Sequence, residues 1–123
     1  MKQKTRRSRV RVSSPFAEVR VAPVSVHGSQ VSNQAIEIRD DQGDWQCLNI
    51  HSSAYKLVPN TIVNETAQEI LIQTGESWTP EREVWTGRYW AKLYRSNLNL
   101  DAPEVGDTLS LGLRVENSYD GSC

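Results

Sequence analysis

The segment Arg88-Tyr89-Trp90-Ala91-Lys92-Leu93-Tyr94-Arg95 decides how this chain is read, because its side chains sort by parity. Successive residues of an extended strand point to opposite faces. Tyr89, Ala91 and Leu93 then point one way, and Arg88, Trp90, Lys92 and Tyr94 the other. Residues 108–116 alternate more cleanly still, with Leu109, Leu111, Leu113 and Val115 on one face and Ser110, Gly112, Arg114 and Glu116 on the other. Pro103, Gly106 and Asp107 read as the loop between them. The pair predicts a half-buried antiparallel sheet.

Such a sheet needs a cover for its apolar face, and residues 60–74 supply the helix. Asn60 is suited to cap its first turn. Ile62, Val63, Thr66, Ala67, Ile70 and Leu71 recur at helical spacing, and Gly75 follows where a left-handed residue ends a helix. Before the helix, residues 35–39 and 45–51 flank Asp40-Asp41-Gln42-Gly43-Asp44, a hairpin signal. Its pattern predicts Ile36 and Ile38 on one face with Leu48 and Ile50, and Trp45 and Cys47 on the other. Residues 19–26 alternate around Pro23, which argues against an interior strand there, and residues 27–33 read as a loop. Residues 76–83, with Trp78 and Pro80, read as another loop, and residues 83–85 as a short strand. The expected architecture is α+β: an antiparallel sheet of about five to six strands with one helix on one face.

The 123 residues are enough for one domain. The net charge of −1 hides an asymmetry. Residues 1–12 hold Lys2, Lys4, Arg6, Arg7, Arg9 and Arg11 and no acid, so the remaining eight basic residues face all 15 acids and the body carries −7. A basic arm over residues 1–14 on an acidic domain over residues 15–123 is an interaction-tail pattern. Cys47 and Cys123 are too few and too far apart for a disulfide framework, and Cys47 reads as a small strand hydrophobe. No apolar run follows the basic arm and nothing approaches a membrane span, so a cytoplasmic chain is expected.

Catalysis finds little support. The chain lacks a phosphate-cradling glycine loop, a nucleophile elbow and a histidine pair at ligand spacing. His27 and His51 stand alone, and Asp40, Asp41 and Asp44 read first as turn formers. A metal-dependent enzyme of nucleic acids built on those three aspartates is the third reading. Neither cofactor nor metal is expected.

The cations suggest a different chemistry. The arm would neutralise phosphates. The Arg88, Trp90, Lys92 and Tyr94 face interleaves charges with rings, and Arg114 would fall near it if the strands pair. Rings of this kind stack on exposed bases while the cations follow the backbone. Periodicity leaves three places open for Trp90 and Tyr94: the core under the helix, an exposed nucleic-acid platform, or a protein-contact patch.

Three short motifs add a resemblance. Ser53-Ala54-Tyr55-Lys56-Leu57-Val58-Pro59-Asn60, Thr86-Gly87-Arg88 and Glu116-Asn117-Ser118-Tyr119-Asp120-Gly121-Ser122 occur in order. In them the chain from about residue 22 onward resembles a phage/plasmid-like family known as domain of unknown function 932. The resemblance implies an origin in a mobile genetic element, with no assigned activity or cofactor. It also carries a distant likeness to single-strand annealing recombinases, which combine a curved antiparallel sheet, a helix and a basic groove. Members of that family continue past the Asn-Ser-x-Asp-Gly-Ser segment, so a shortened form would cover its open edge by dimerising.

The leading expectation is therefore a non-enzymatic, single-strand-preferring nucleic-acid-binding module. Lys2, Lys4, Arg6, Arg7, Arg9 and Arg11 would hold phosphates, and Arg88, Trp90, Lys92, Tyr94 and Arg114 would form the platform. The alternative is a protein-interaction or host-defence inhibitor module acting through acidic residues 37–44 and 76–83.

Overall fold

The computed structural model describes residues 10–102 and 107–121, with side chains for residues 10–96 and 111–121. The order is β1 (Val19–Val26), β2 (Ser29–Arg39), β3 (Trp45–His51), α1 (Asn60–Gln73), β4 (Trp78–Trp85), β5 (Tyr89–Ala102) and β6 (Asp107–Ser118). The chain is α+β, but the expected single sheet is divided. Strands β1-β2-β3 form one three-stranded antiparallel sheet and β4-β5-β6 a second, with α1 between them in sequence.

Two stretches read as loops are strands. Residues 27–33 need only His27 and Gly28 for the turn, both at positive φ, and the pairing of Val26 with Ser29 makes this a two-residue hairpin. Residues 78–83 belong to β4, where Pro80 is tolerated because β4 is an edge strand with a register break between Pro80 and Arg82. Pro23 likewise lies on edge strand β1 beside a register break.

The β2–β3 hairpin forms as its sequence predicts. Asp40 closes the turn by accepting from the amides of Gln42 and Asp44 at 2.9 Å each and from the Gln46 side chain at 2.9 Å. One expectation fails within it. The register shifts between Ile36 and Glu37, so Ile36 pairs with Asn49 and Ala35 with Ile50. Leu48 stays beside the core, whereas Ile50 turns to the outer face and is exposed. An extra residue in one strand reverses the parity of everything beyond it.

The core sits where the two sheets meet. Ile36, Ile38 and Tyr119 are fully enclosed, with Val12, Val19, Leu48, Leu57 and Trp85 packed around them. Trp85 and Tyr119 meet edge to face with centroids 6.5 Å apart. Residues 10–14, expected to belong to the arm, are tied to this body. Ser13 donates through its amide and hydroxyl to Asp41, the Asp41 amide donates to the Arg11 carbonyl, and the Trp85 indole donates to the Val12 carbonyl at 2.8 Å. They pack as extended chain.

Helix α1 starts one residue earlier than a capping Asn60 would require. Pro59 is the cap residue, its carbonyl accepting from Ile62 and Val63, and Asn60 is already helical. The Asn60 amide is satisfied instead by the Tyr119 hydroxyl at 2.7 Å. The freed Asn60 side chain donates to the Pro15 carbonyl and accepts from Asn117, both at 2.8 Å or less. One buried asparagine thus joins the N-terminal segment, the helix and β6. Burial pushes the Tyr119 phenol above its usual pKa. Gly75, at positive φ, follows the Thr74 cap as expected.

Candidate nucleic-acid interface

Pairing across the second sheet shows which side of β5 is covered. Trp85, Trp90 and Asn117 stand in one row, and Tyr94 stands beside Leu113. Directly opposed residues share a face. This face meets the helix and the N-terminal segment. Trp90 is 0% exposed, with Phe16 edge to face at 5.4 Å and its indole donating to Glu83 at 2.8 Å. Tyr94 is 4% exposed and accepts a hydrogen bond from Gln68 of α1 at 2.9 Å.

The expected aromatic platform is therefore corrected: Trp90 and Tyr94 are core residues, and no base can reach their rings. Trp and Tyr suit either environment, because a large apolar ring carries one polar atom that a buried partner can satisfy. Glu83 and Gln68 are those partners. The remaining platform residues separate. Lys92 is half-buried on the same covered face as Trp90, its ammonium 5.2 Å from the Tyr94 ring. Arg114 pairs with Leu93 on the opposite, outer face, where it donates to the Tyr89 hydroxyl at 2.7 Å and meets Glu116 at 3.4 Å. The Tyr89 hydroxyl in turn donates to Glu116 at 2.6 Å and holds that carboxyl below its usual range. Arg82, in the same row as Leu93 and Arg114, was missed because its strand reads as a loop.

Arg88 and Arg11 come together instead. Arg88 follows Thr86-Gly87, which connects β4 to β5. Gly87 has φ 96°, a conformation that a side chain would strain. The Thr86 hydroxyl accepts from the amides of Arg88 and Tyr89, which fixes the turn. Arg11 lies in the strap held by Asp41 and Trp85. The two arginines, 77 positions apart, line one cleft of about 530 Å3 with Gln46, Trp85, Thr86 and Gly87. No carboxylate lines it, and neither arginine is in an ion pair among the described residues. Lys2, Lys4, Arg6, Arg7 and Arg9 lie outside the described residues, in the sequence leading to this cleft.

The alternative sites are occupied by the fold's own contacts. Glu37 pairs with Arg20 and Glu81 with Arg95, while Glu83 holds Trp90. Asp40 and Asp41 serve the turn and Ser13, whose hydrogen bonds hold both carboxyls below their usual range. Among the described residues no group of His, Cys, Asp or Glu has an arrangement that would hold a metal ion. His27 is a turn residue, and His51 stacks on Tyr55 at 3.9 Å with its ring nitrogen 3.2 Å from the Tyr119 carbonyl. Cys47 is exposed rather than a strand hydrophobe. No described helix is long and apolar enough to cross a membrane. The chain matches no family model, no curated protein and no solved structure.

Proposed function

We propose that this protein is a non-enzymatic, cytoplasmic nucleic-acid-binding module that grips the phosphate backbone with its basic arm and the Arg11–Arg88 cleft. The observation that carries the reading is that two arginines from distant parts of the chain line one cleft that no carboxylate lines, neither of them in an ion pair among the described residues, with Arg11 following five further cations in the sequence. A cation outside a close ion pair gives up little when a phosphate arrives: Arg88 has no carboxylate beside it in this cleft, Arg11 has only a longer-range attraction to Asp41, and each phosphate contact releases counterions. Phosphate contacts position a protein on nucleic acid without reading bases. With Trp90 and Tyr94 inside, no ring platform favours single strands, and the proposed ligand is the phosphodiester backbone. The mobile-element origin implied by the family resemblance accords with such a role.

The test is an anisotropy titration of labelled single- and double-stranded oligonucleotides at several salt concentrations. Wild-type protein should bind at low salt with a steep salt dependence. The Arg11→Ala/Arg88→Ala double variant should weaken binding and reduce the slope of log K against log salt by about 1.4–1.8. Removing residues 1–9 should reduce it further. Indifference to both oligonucleotides at low salt, or a double variant that binds as wild type does, overturns the proposal.

A further inference from the structure

Each three-stranded sheet has two edges, and three of the four are interrupted. Strands β1 and β4 carry Pro23 and Pro80 beside register breaks, and β3 carries the extra residue at Leu48. Strand β6 differs. It runs for 12 residues with neither proline nor lysine, and the break in its ladder lies on β5, where residues 96–98 stand opposite Leu111. It pairs with β5 alone. A long regular edge is a template for another strand unless something blunts it.

The surface beside this edge is apolar. Helix α1 turns Ala67 and Leu71 into the core, but its predicted stripe is wider than the sheet beneath it. Ile62 and Ile70 remain 49% and 46% exposed. With Val58, Thr66, Leu113 and Val115 they line an open groove of about 450 Å3 between α1 and β6.

We propose that the occupant is a second copy of this chain, paired antiparallel through β6 about a two-fold axis at Val115. Parity and charge select both the partner and the register. A two-fold axis perpendicular to the sheet keeps the same face upward in both copies, so it passes through a residue paired with its own equivalent. Centring on Arg114 or Glu116 places like charges opposite each other. Centring on Leu113 sets Arg114 against Gly112, so the second copy adds no acid to the Glu116 that Arg114 already meets within its own chain. Centring on Val115 sets Arg114 opposite Glu116 of the second copy, and Glu116 opposite Arg114 of the second copy. Opposed residues of opposite charge stabilise a ladder, and like charges destabilise it. The pairing makes one six-stranded sheet with both helices on one face, where Ile62 and Ile70 of the two copies close the groove.

Sedimentation velocity of the full chain, without nucleic acid, tests this across low micromolar to submillimolar concentrations. A concentration-dependent dimer is expected. Arg114→Glu and Glu116→Arg should each weaken dimerisation by about tenfold or more, and the combined swap should restore it. Ile70→Glu, at an exposed helix position, should weaken it without altering the circular dichroism spectrum. The Arg11→Ala/Arg88→Ala variant should dimerise as wild type does, which separates this proposal from nucleic-acid binding. A monomer at every concentration leaves the groove to a different protein and overturns the proposal. So does a dimer insensitive to the single reversals, or one that the swap fails to restore.

Discussion

The two sheets share a three-stranded antiparallel plan but differ in how they use their charges. On the outer face of the first, Arg20 pairs with Glu37 and Arg39 with Glu18, and both guanidiniums lie over the Trp45 ring at 3.9 and 4.8 Å. The first sheet's outer charges are paired, while its inner face depends on Trp85 and Tyr119 to close the core. The second also pairs Arg95 with Glu81 and Arg114 with Glu116, but it places Trp90 on the inner face, against Phe16, and presents Arg88 at its turn and an edge strand, β6, that pairs with β5 alone. The difference lies at Arg88: among the described residues it is in no ion pair, so it is the cation most available to a phosphate.

The sharpest break in this comparison is between Trp90 and Trp45. Trp90→Ala should cost about 3–5 kcal/mol, the usual range for a large aromatic lost from a core. Trp45→Ala removes two exposed cation–π contacts and should cost only about 1–2 kcal/mol. Urea unfolding of the two variants checks the difference, and similar losses would show that the faces are assigned wrongly.

The join between sheets should come next. Tyr119→Phe leaves the buried Asn60 amide without its acceptor, a loss of about 1–3 kcal/mol. Amide exchange should show the first turn of α1 opening before its centre.

Among the arginines, Arg88→Ala should weaken oligonucleotide binding and flatten its salt slope by about 0.7–0.9, whereas Arg20→Ala, already paired with Glu37, should leave both unchanged. Equal effects would mean that pairing does not decide availability.

The smallest effect concerns the strap that carries Arg11. The Asp41 carboxyl is held below its ordinary 3.8 chiefly by the Ser13 hydroxyl, with the Ser13 amide next. A depressed carboxyl pKa contributes above the unfolded value, and that contribution is lost as pH falls through the folded one. The Ser13 amide, which donates to Asp41, should therefore be protected from exchange at neutral pH and lose protection as pH falls below about 3.8. Asp41→Asn should remove that pH step.

Several elements were legible because local chemistry dictates them. Asp40 and Gly43 make the β2–β3 turn with groups from the turn itself, Gly75 ends the helix, and Pro23 confines β1 to an edge. The division into two sheets was not legible, since nothing local specifies which strands pair after a helix. Residues 27–33 and 78–83 were hidden by polar composition: the first stretch turns through His27 and Gly28 into β2, and the second lies in β4, an edge strand that needs few apolar residues. The candidate cleft was half visible. Arg11 and Arg88 could be named from charge and turn position, but their convergence depends on a strap held by Asp41 and Trp85.

Alternation along 88–95 established from the letters alone that Trp90 and Tyr94 share a face, because a strand's geometry obliges it. Nothing in the letters specified whether that face would be wet. The outcome rests on long-range partners: Phe16 against the indole, Glu83 for its N–H, Gln68 for the phenol. An amphipathic ring accepts water or protein with similar ease, so its side is chosen by what the rest of the chain brings to it.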